Sequence, residues 1–235
     1  MKNVTTCPNC GTENPLYKLN CLNCKTYLRE RIYNLDLWKV IGLLIESPVK
    51  AYRLIIQSEH KNFIFLILAL FSIKSFINAR FLSLVYSGSS TLKFNFELEL
   101  LTALGAGIIV ILIYAVIFSS VNLVAGLKTR LKDNYAVFSY SLLPYTVGLA
   151  ILFPIEIIIF GEYLFSDNPS PFIIKPSLAY FLLSIEGLLI LWGLYLTITG
   201  IFAVSKNILY SVFSGLIFYL YLYGFLFFLS KILFN

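Results

Sequence analysis

Long apolar runs alternate with short polar connections along most of this chain. Five of the runs are long enough to cross a lipid bilayer as helices, which takes about 20 mostly apolar residues. They cover residues 63–86, 100–123, 137–160, 178–204 and 208–229. The pattern predicts an all-α membrane protein with a five-helix transmembrane bundle over residues 63–235.

The third of these runs contains two prolines, Pro144 and Pro154. Proline has no backbone N–H and its ring clashes with the carbonyl one turn back, so it disturbs a regular helix. We therefore expect this span to kink unless neighbouring helices accommodate the prolines.

An amphipathic collar over residues 35–62 precedes the bundle, and its apolar segments are too short to span a membrane. Trp38, Ile41 and Ile45 recur at helical spacing and so share one face. Ser47 and Pro48 are typical of an N-cap and the first helical residue after it. The collar is therefore predicted to contain two short helices.

The helix that begins at Pro48 has two distinct stripes. They are Val49, Tyr52 and Ile56 on one side and Lys50, Arg53 and Gln57 on the other. Such a helix can lie in the membrane interface with its cations toward lipid headgroups. It can equally pack against the bundle, and the sequence does not choose between these alternatives.

The composition is that of an integral membrane protein with a small polar head. Hydrophobic residues make up 59% of the 235 residues, charged residues only 13%, and the mean hydropathy is +0.83. Soluble domains contain about 25% charged residues. A soluble class for the whole chain is therefore excluded.

Basic residues are concentrated in alternate polar segments. The net charge is +6, and nine of the 18 lysines and arginines precede residue 63. The connection after the first run has only Lys93, whereas the next one has Lys128, Arg130 and Lys132. We expect a multi-pass protein of the cell (inner) membrane. Because cytoplasmic loops carry an excess of Lys and Arg, its N-terminus would be cytoplasmic and its C-terminus external.

All four cysteines lie in the head, residues 1–34, as two C-x-x-C pairs: Cys7 with Cys10, and Cys21 with Cys24. Two residues between thiolates let both sulfurs reach one metal ion, and two such pairs complete the tetrahedral site typical of structural Zn²⁺. The segment resembles the short zinc ribbons of many bacterial proteins, although Lys25 stands where the second pair usually has glycine. A disulfide interpretation is weaker, because the predicted cytoplasmic side is reducing.

The role of this zinc ribbon has two alternatives. It is either a docking module for a protein or nucleic acid, or a self-contained cap whose cations offset a negative zinc–thiolate centre. Up to residue 34 the head has five lysines and arginines against two glutamates. This weak basic bias favours the cap, and nucleic acid is not expected as a partner.

Four ionisable residues fall within the predicted spans: Lys74, Arg80, Glu156 and Glu186. Charges inside a membrane are costly and are candidates for functional sites. Counting about 1.5 Å per helical residue places Lys74 and Glu186 at similar depths, so we expect them to pair. The alternative to a functional role is that these charges hold the helices together.

The third span also carries the residues of a family resemblance: Tyr140, Ser141, Leu142, Leu143 and Pro144. They are similar to the Y-S-L-x-P element of the Yip-type membrane domain, the family of Ypt/Rab-interacting proteins. The five spans and the proline-led collar resemble that family too. The resemblance implies a five-span domain that acts in membrane organisation or trafficking rather than in catalysis.

The sequence favours a non-enzymatic multi-pass scaffold or adaptor whose zinc ribbon docks a protein partner. The bilayer is its other partner, and a homo-oligomer is compatible with it. A small transporter or channel is the alternative, although the odd number of spans and the lack of an inverted repeat argue against it. An intramembrane enzyme is the third candidate, but residues 63–235 contain no Cys or His.

Overall fold

The structure is a computed structural model that describes residues 4–87, 96–166 and 169–234. The connection that contains Lys93 lies outside the described residues. The strands are β1 (Val4–Thr6) and β2 (Glu13–Pro15), and the helices are α1 (Leu37–Glu46), α2 (Pro48–Gln57), α3 (Ile64–Ser87), α4 (Phe96–Val124), α5 (Leu131–Ser141), α6 (Leu143–Val147), α7 (Phe153–Phe160), α8 (Pro171–Ile174), α9 (Pro176–Ser205) and α10 (Ile208–Phe234). A π-helical turn, Gly148–Leu152, precedes α7, and a 3₁₀ turn, Gly161–Phe165, follows it.

The described residues contain five helical segments that are long and apolar enough to cross a membrane, as the sequence predicted. They are Ile64–Ser83, Glu97–Val124, Leu131–Phe165, Pro176–Ser205 and Ile208–Phe234. The third begins six residues earlier than predicted. This confirms the predicted all-α fold with a cysteine-rich head, to which β1 and β2 add a small antiparallel sheet.

The third span is interrupted near both prolines, as their chemistry requires. The helix breaks at Leu142, after which Pro144 lies in the first turn of α6. The π turn widens the helix before Pro154, so that the N–H of Phe153 bonds to the carbonyl of Gly148. Such a turn relieves the clash between a proline ring and the preceding turn, which is a common cause of helix distortion.

The described chain divides into two compact units, and both units contain pieces of several spans. The first combines residues 4–64, 111–141 and 195–217, and the second combines residues 65–87, 96–110, 142–166, 169–194 and 218–234. The head and the collar both belong to the first unit.

In the first unit, α2 packs on the bundle. The aromatic ring of Tyr52 is fully buried, and Ile56 is nearly so. Gly200 of α9 makes room for that ring, because a β-carbon there would come within 3.0 Å of it. Lys50 and Arg53 on the other stripe are exposed. Of the two alternatives for this helix, the structure therefore shows packing against the bundle.

The five residues that carry the family resemblance, Tyr140 to Pro144, are all buried. The hydroxyl group of Tyr140 donates a hydrogen bond to the carbonyl of Asn62, just before α3 begins. The hydroxyl of Ser141 bonds to the carbonyl of Phe138 within its own helix. These contacts organise the packing of the span and expose no motif side chain to a partner.

In the second unit, α3 and α4 approach each other closely at a small residue. Gly107 faces the side chain of Ser72, where an added β-carbon would clash. The Ser72 hydroxyl donates to the carbonyl of Leu68 at 2.8 Å and lies 3.5 Å from the carbonyl of Leu104. Glycine at this position therefore permits the short distance between these helices.

Candidate metal centre and buried charge clusters

The two cysteine pairs are built as copies of one turn. Both have the sequence C-x-N-C-x-T, over residues 7–12 and 21–26. In the first turn, the amide of Cys7 donates to the carbonyl of Thr12 at 3.0 Å. In the second turn, the amide of Cys21 donates to the carbonyl of Thr26 at 2.9 Å. The first and last residues of each turn are thus clamped together, which directs the two thiols of a pair to the same side.

The four sulfurs converge on one point. They lie within 4.8 Å of one another, with Cys7 3.5 Å from Cys24 and Cys10 3.5 Å from Cys21. For a tetrahedral site with metal–sulfur bonds of about 2.3 Å, the sulfurs should be about 3.8 Å apart. The donor set can therefore bind one metal ion, and four protein ligands leave no position open for a substrate.

Threonines adjust the acidity of the second thiol in each pair. Sγ of Cys24 lies 3.3 Å from Oγ1 of Thr26, and this contact, followed by that with the Thr26 backbone, lowers the pKa of Cys24 to about 5. Thr12 lowers the pKa of Cys10 in the same way. A lower pKa favours the thiolate, which is the form that binds metal.

A buried asparagine contacts one of the cysteine ligands and the backbone of both turns. Asn14 is fully buried, and its Nδ2 lies 2.8 Å from the carbonyl of Thr12 and 3.5 Å from Sγ of Cys21. Its Oδ1 accepts from the amide of Leu22 at 2.8 Å. Such contacts to a ligand orient it and offset its charge. Asn14 was missed from the sequence, although its position between the two cysteine pairs was visible.

Lys25 adopts the conformation of the glycine it replaces. Its φ is 62°, close to the 71° of Gly11 in the first turn. The left-handed region costs a residue with a side chain roughly 1–2 kcal/mol. The departure from the usual ribbon pattern is therefore accommodated by local strain, with the turn geometry retained.

A second cluster lies at the C-terminal end of α2. The ammonium group of Lys61 contacts the carbonyl oxygens of Ile55, Ile56 and Ser58. It also pairs with Oδ1 of Asp133 at 3.1 Å. The last carbonyls of a helix carry partial negative charge, so a cation there is stabilising.

Two arginines complete this arrangement. Arg130 bonds to both oxygens of Asp133, at 2.7 and 3.0 Å, and to the carbonyl of Ile56 at 3.1 Å. Arg29, from the head, bonds to the carbonyl of Gln57 at 2.7 Å. We refer to Arg29, Lys61, Arg130 and Asp133 as the helix-end cluster.

The helix-end cluster connects the head to the spanning helices of the first unit. The guanidinium of Arg130 lies 4.5 Å from the ring centre of Tyr17, in the range of a cation–π contact. Arg29 also donates to the carbonyl of Tyr17 at 3.3 Å. At another point, Nζ of Lys206 lies 3.4 Å from the carbonyl of Val4. The head is thus seated on the bundle through several polar contacts.

Burial shapes the electrostatics of the cluster. It lowers the pKa of Lys61 from 10.5 to about 8, although Asp133 acts in the opposite direction. Burial and, after it, the nearby Arg130 also lower the pKa of Arg29. Sequence reasoning missed this site because Asp133 precedes the predicted third span, residues 137–160, and so falls in a polar connection. The spacing of Arg130 and Asp133, which suits a helical ion pair, was the available signal.

Within the second unit, the structure brings Lys74 and Glu186 together in a salt bridge, the pair expected from helix depth. Glu156 is buried and lies within electrostatic reach of both. Its Oε2 has no hydrogen-bond partner among the described residues. Arg80 is placed differently, with its guanidinium 5.4 Å from the ring centre of Phe234.

The salt bridge lies beside the π turn. A β-carbon on Gly148, the first residue of that turn, would be 3.6 Å from Cε of Lys74 and 3.8 Å from Oε1 of Glu186. The distorted part of the third span therefore adjoins the charged side chains. π turns are frequent at functional sites.

Comparison with known proteins adds no further assignment. No family model, no curated protein and no solved structure matches the chain. Function is therefore inferred from the metal centre and the charge clusters described above.

Proposed function

We propose that this protein is a non-enzymatic multi-pass membrane scaffold or adaptor whose head holds Zn²⁺ and docks a protein partner. One observation carries the proposal: the helix-end cluster ties the head to the spanning helices through Arg29 and through Arg130 with Tyr17. A docking module fixed in this way gives its partner a defined position at the membrane. A freely tethered cap would not need these contacts.

Zinc is the metal that best suits the site. Four thiolates are soft ligands, which favour zinc or iron–sulfur centres over magnesium or calcium. Two C-x-x-C turns around one tetrahedral point are typical of structural zinc. With all four positions occupied by cysteine, the ion would hold the head folded and would not activate a substrate.

The second cysteine turn offers the surface for a partner. Leu22 and Tyr27 are 52% and 68% exposed, in a head too small to bury many apolar side chains. Exposed aromatic and aliphatic residues on a rigid turn are the kind of group that anchors protein interfaces. We propose that the partner binds here with an apolar patch.

Photo-crosslinking in native membranes tests this proposal. A photoreactive residue at position 27 should crosslink one defined protein, whereas the same residue at Pro8, exposed on the first turn, should not. Cys21→Ser should abolish the crosslink at position 27, because it removes a ligand and melts the turn. Crosslinks at position 27 that persist in Cys21→Ser, or that match those at position 8, would exclude a docking role.

The same proposal includes a relationship to the Yip-type membrane domain and a role in membrane organisation. It is supported by the Tyr140 to Pro144 motif and by the number of spans. The buried motif side chains fit a structural role in such a domain. In this proposal the N-terminus is cytoplasmic in the cell membrane, as the distribution of Lys and Arg suggests.

One observation favours a second candidate, a small transporter or channel. Oε2 of the buried Glu156 has no hydrogen-bond partner among the described residues, and buried acids line many ion pathways. Flux of protons, Na⁺ or K⁺ into proteoliposomes tests it. Flux that the wild type supports and Glu156→Gln loses would favour transport over the scaffold.

A further inference from the structure

Helix α1 presents an apolar face that nothing in the described chain covers. Trp38 is 81% exposed and Ile45 is 64% exposed, while Val40 and Leu44 on the opposite side are buried. Ile41 lies between the two exposed residues on the same face and is half-buried. A large exposed tryptophan on an amphipathic helix marks a binding surface.

The position of α1 indicates what covers this face. The helix packs against α2, and the Tyr52 ring of α2 contacts Gly200 of α9. Gly200 lies five residues before α9 ends at Ser205, which is about 7.5 Å along a helix. The collar is therefore held beside the last turns of α9, a helix long enough to cross a membrane. Tryptophan is enriched where such helices leave the bilayer.

Exposed cations lie on both helices of the collar. Lys39 on α1 and Lys50 and Arg53 on α2 are exposed, and none of the three forms a salt bridge within the described residues. The nearby Asp36 is engaged as the N-cap of α1, where it accepts from the amides of Trp38 and Lys39. The collar therefore presents three exposed cations without ion pairs in the described chain, while Glu46 at the end of α1 is an exposed acid.

We propose that α1 lies in the membrane surface on the head side of the bundle. Trp38, Ile41 and Ile45 enter the boundary between headgroups and acyl chains, and Lys39, Lys50 and Arg53 bind anionic phospholipid headgroups. Such helices bury their apolar face about 5–10 Å below the surface and gain further attraction from anionic lipid. The collar thereby fixes the head at a set height above the bilayer.

Tryptophan fluorescence in proteoliposomes tests the insertion. The chain has two tryptophans, Trp38 and Trp192, so the difference between the wild type and Trp38→Phe reports Trp38 alone. Trp192, in the fourth span, serves as the internal control for quenching by lipid. Brominated phosphatidylglycerol should quench roughly half or more of the Trp38 signal, since the ring lies near the acyl boundary. Aqueous acrylamide should have little effect.

Two outcomes would overturn the insertion. Quenching of Trp38 by acrylamide but not by brominated lipid would show a face open to water. Shielding from both quenchers would show that a second copy of the chain covers it. Trp38→Phe changes an exposed side chain, so loss of folding does not confuse the comparison.

The headgroup contacts have their own test. Brominated phosphatidylglycerol should quench Trp38 more strongly than brominated phosphatidylcholine at equal mole fraction, by up to about fivefold, the equivalent of one cation near the surface. The variant Lys39→Gln, Lys50→Gln, Arg53→Gln should lose this difference while Trp38 stays quenched by both lipids. Equal quenching by the two lipids in the wild type would refute the anionic contacts.

Discussion

Nζ of Lys61 lies 3.1 Å from Oδ1 of Asp133, although 72 residues separate them. The other oxygen of the same carboxylate lies 2.7 Å from Nε of Arg130. One buried acid thus balances two cations, and both cations also bind the last carbonyls of α2. The collar and the connection before the third span meet at this carboxylate, and Tyr17 of the head lies against Arg130.

We predict that Asp133→Asn destabilises the first unit by about 3 kcal/mol, since it leaves two cations without their counter-charge in a buried site. Thermal unfolding in mild detergent measures the loss, and limited proteolysis reports release of the head. Lys128→Gln, exposed in the connection just before α5, is the matched control and should unfold like the wild type. An Asp133→Asn protein as stable as that control would show that the cluster does not hold the head.

The lowered pKa of Lys61 predicts a dependence on pH. Its pKa in the folded protein, about 8, lies below the usual 10.5. As the pH rises, the folded state therefore releases this proton before the unfolded state does. The free energy of unfolding should therefore rise between about pH 8 and 10.5 through this group, by on the order of 1–3 kcal/mol. Unfolding of the wild type and of Lys61→Met should be compared from pH 7 to pH 10. The same slope in both proteins would contradict the assignment.

Much of the fold could be predicted because its signals are local. Twenty or so consecutive apolar residues define a span whatever surrounds them, and two C-x-x-C pairs define a metal site from four residues. The helix-end cluster depends instead on contacts between distant segments. Asp133 appeared to lie in a polar connection because charged residues occupy its neighbourhood, whereas α5 already begins at Leu131 and buries it. A cation at the end of one helix and an acid near the start of another carry no sequence signal that they meet.

The collar shows the same difference between local signals, which the sequence reveals, and contacts between distant segments, which it does not. Helical periodicity placed Trp38, Ile41 and Ile45 on one face, and that face exists. Periodicity alone does not distinguish an apolar stripe that faces lipid from one that faces protein. Tyr52 is buried where α9 has a glycine opposite it, at position 200, and no local pattern reveals that contact.

Metal removal should unfold the head and leave the bundle intact. Purified protein should hold one Zn²⁺ per chain, and Cys21→Ser should lose it, because a head this small has too little core to fold without metal. Elemental analysis gives the metal content, and the yield of membrane-inserted protein should stay unchanged. Metal retained by the double variant Cys21→Ser, Cys24→Ser would refute the four-cysteine site.

Orientation in the membrane follows from the proposed positive-inside arrangement. A cysteine in place of Lys128 should react with an impermeant thiol reagent only after cells are permeabilised, and one in place of Ser166 should react in intact cells. Asp133, which would also lie in this connection by sequence, is a poor label site because it is buried. The unmodified chain, labelled in parallel, accounts for the four native cysteines. Labelling at position 128 from outside would reverse the orientation.

The intramembrane salt bridge yields an asymmetric prediction. The side chains of Lys74 and Glu186 are only 2% and 20% exposed, so removing either one takes a counter-charge away from the other. Lys74→Met leaves two carboxylates, Glu186 and Glu156, near each other. Glu186→Gln leaves Lys74 within reach of Glu156, which can take over as its partner. Lys74→Met should therefore lower thermal stability in detergent more than Glu186→Gln does.

A double-mutant cycle measures the coupling directly. The variant with both Lys74→Met and Glu186→Gln should recover part of the loss of Lys74→Met, with a coupling energy of about 1–3 kcal/mol. The double variant Glu156→Gln, Glu186→Gln should lose about as much thermal stability as Lys74→Met, because neither acid is then left to pair with Lys74. Arg80→Met, over the Phe234 ring, should add independently to each variant. If the stability losses of Lys74→Met and Glu186→Gln simply add, the pair contributes no coupling energy. The buried Glu156 would then favour a pathway for ions over a link between helices.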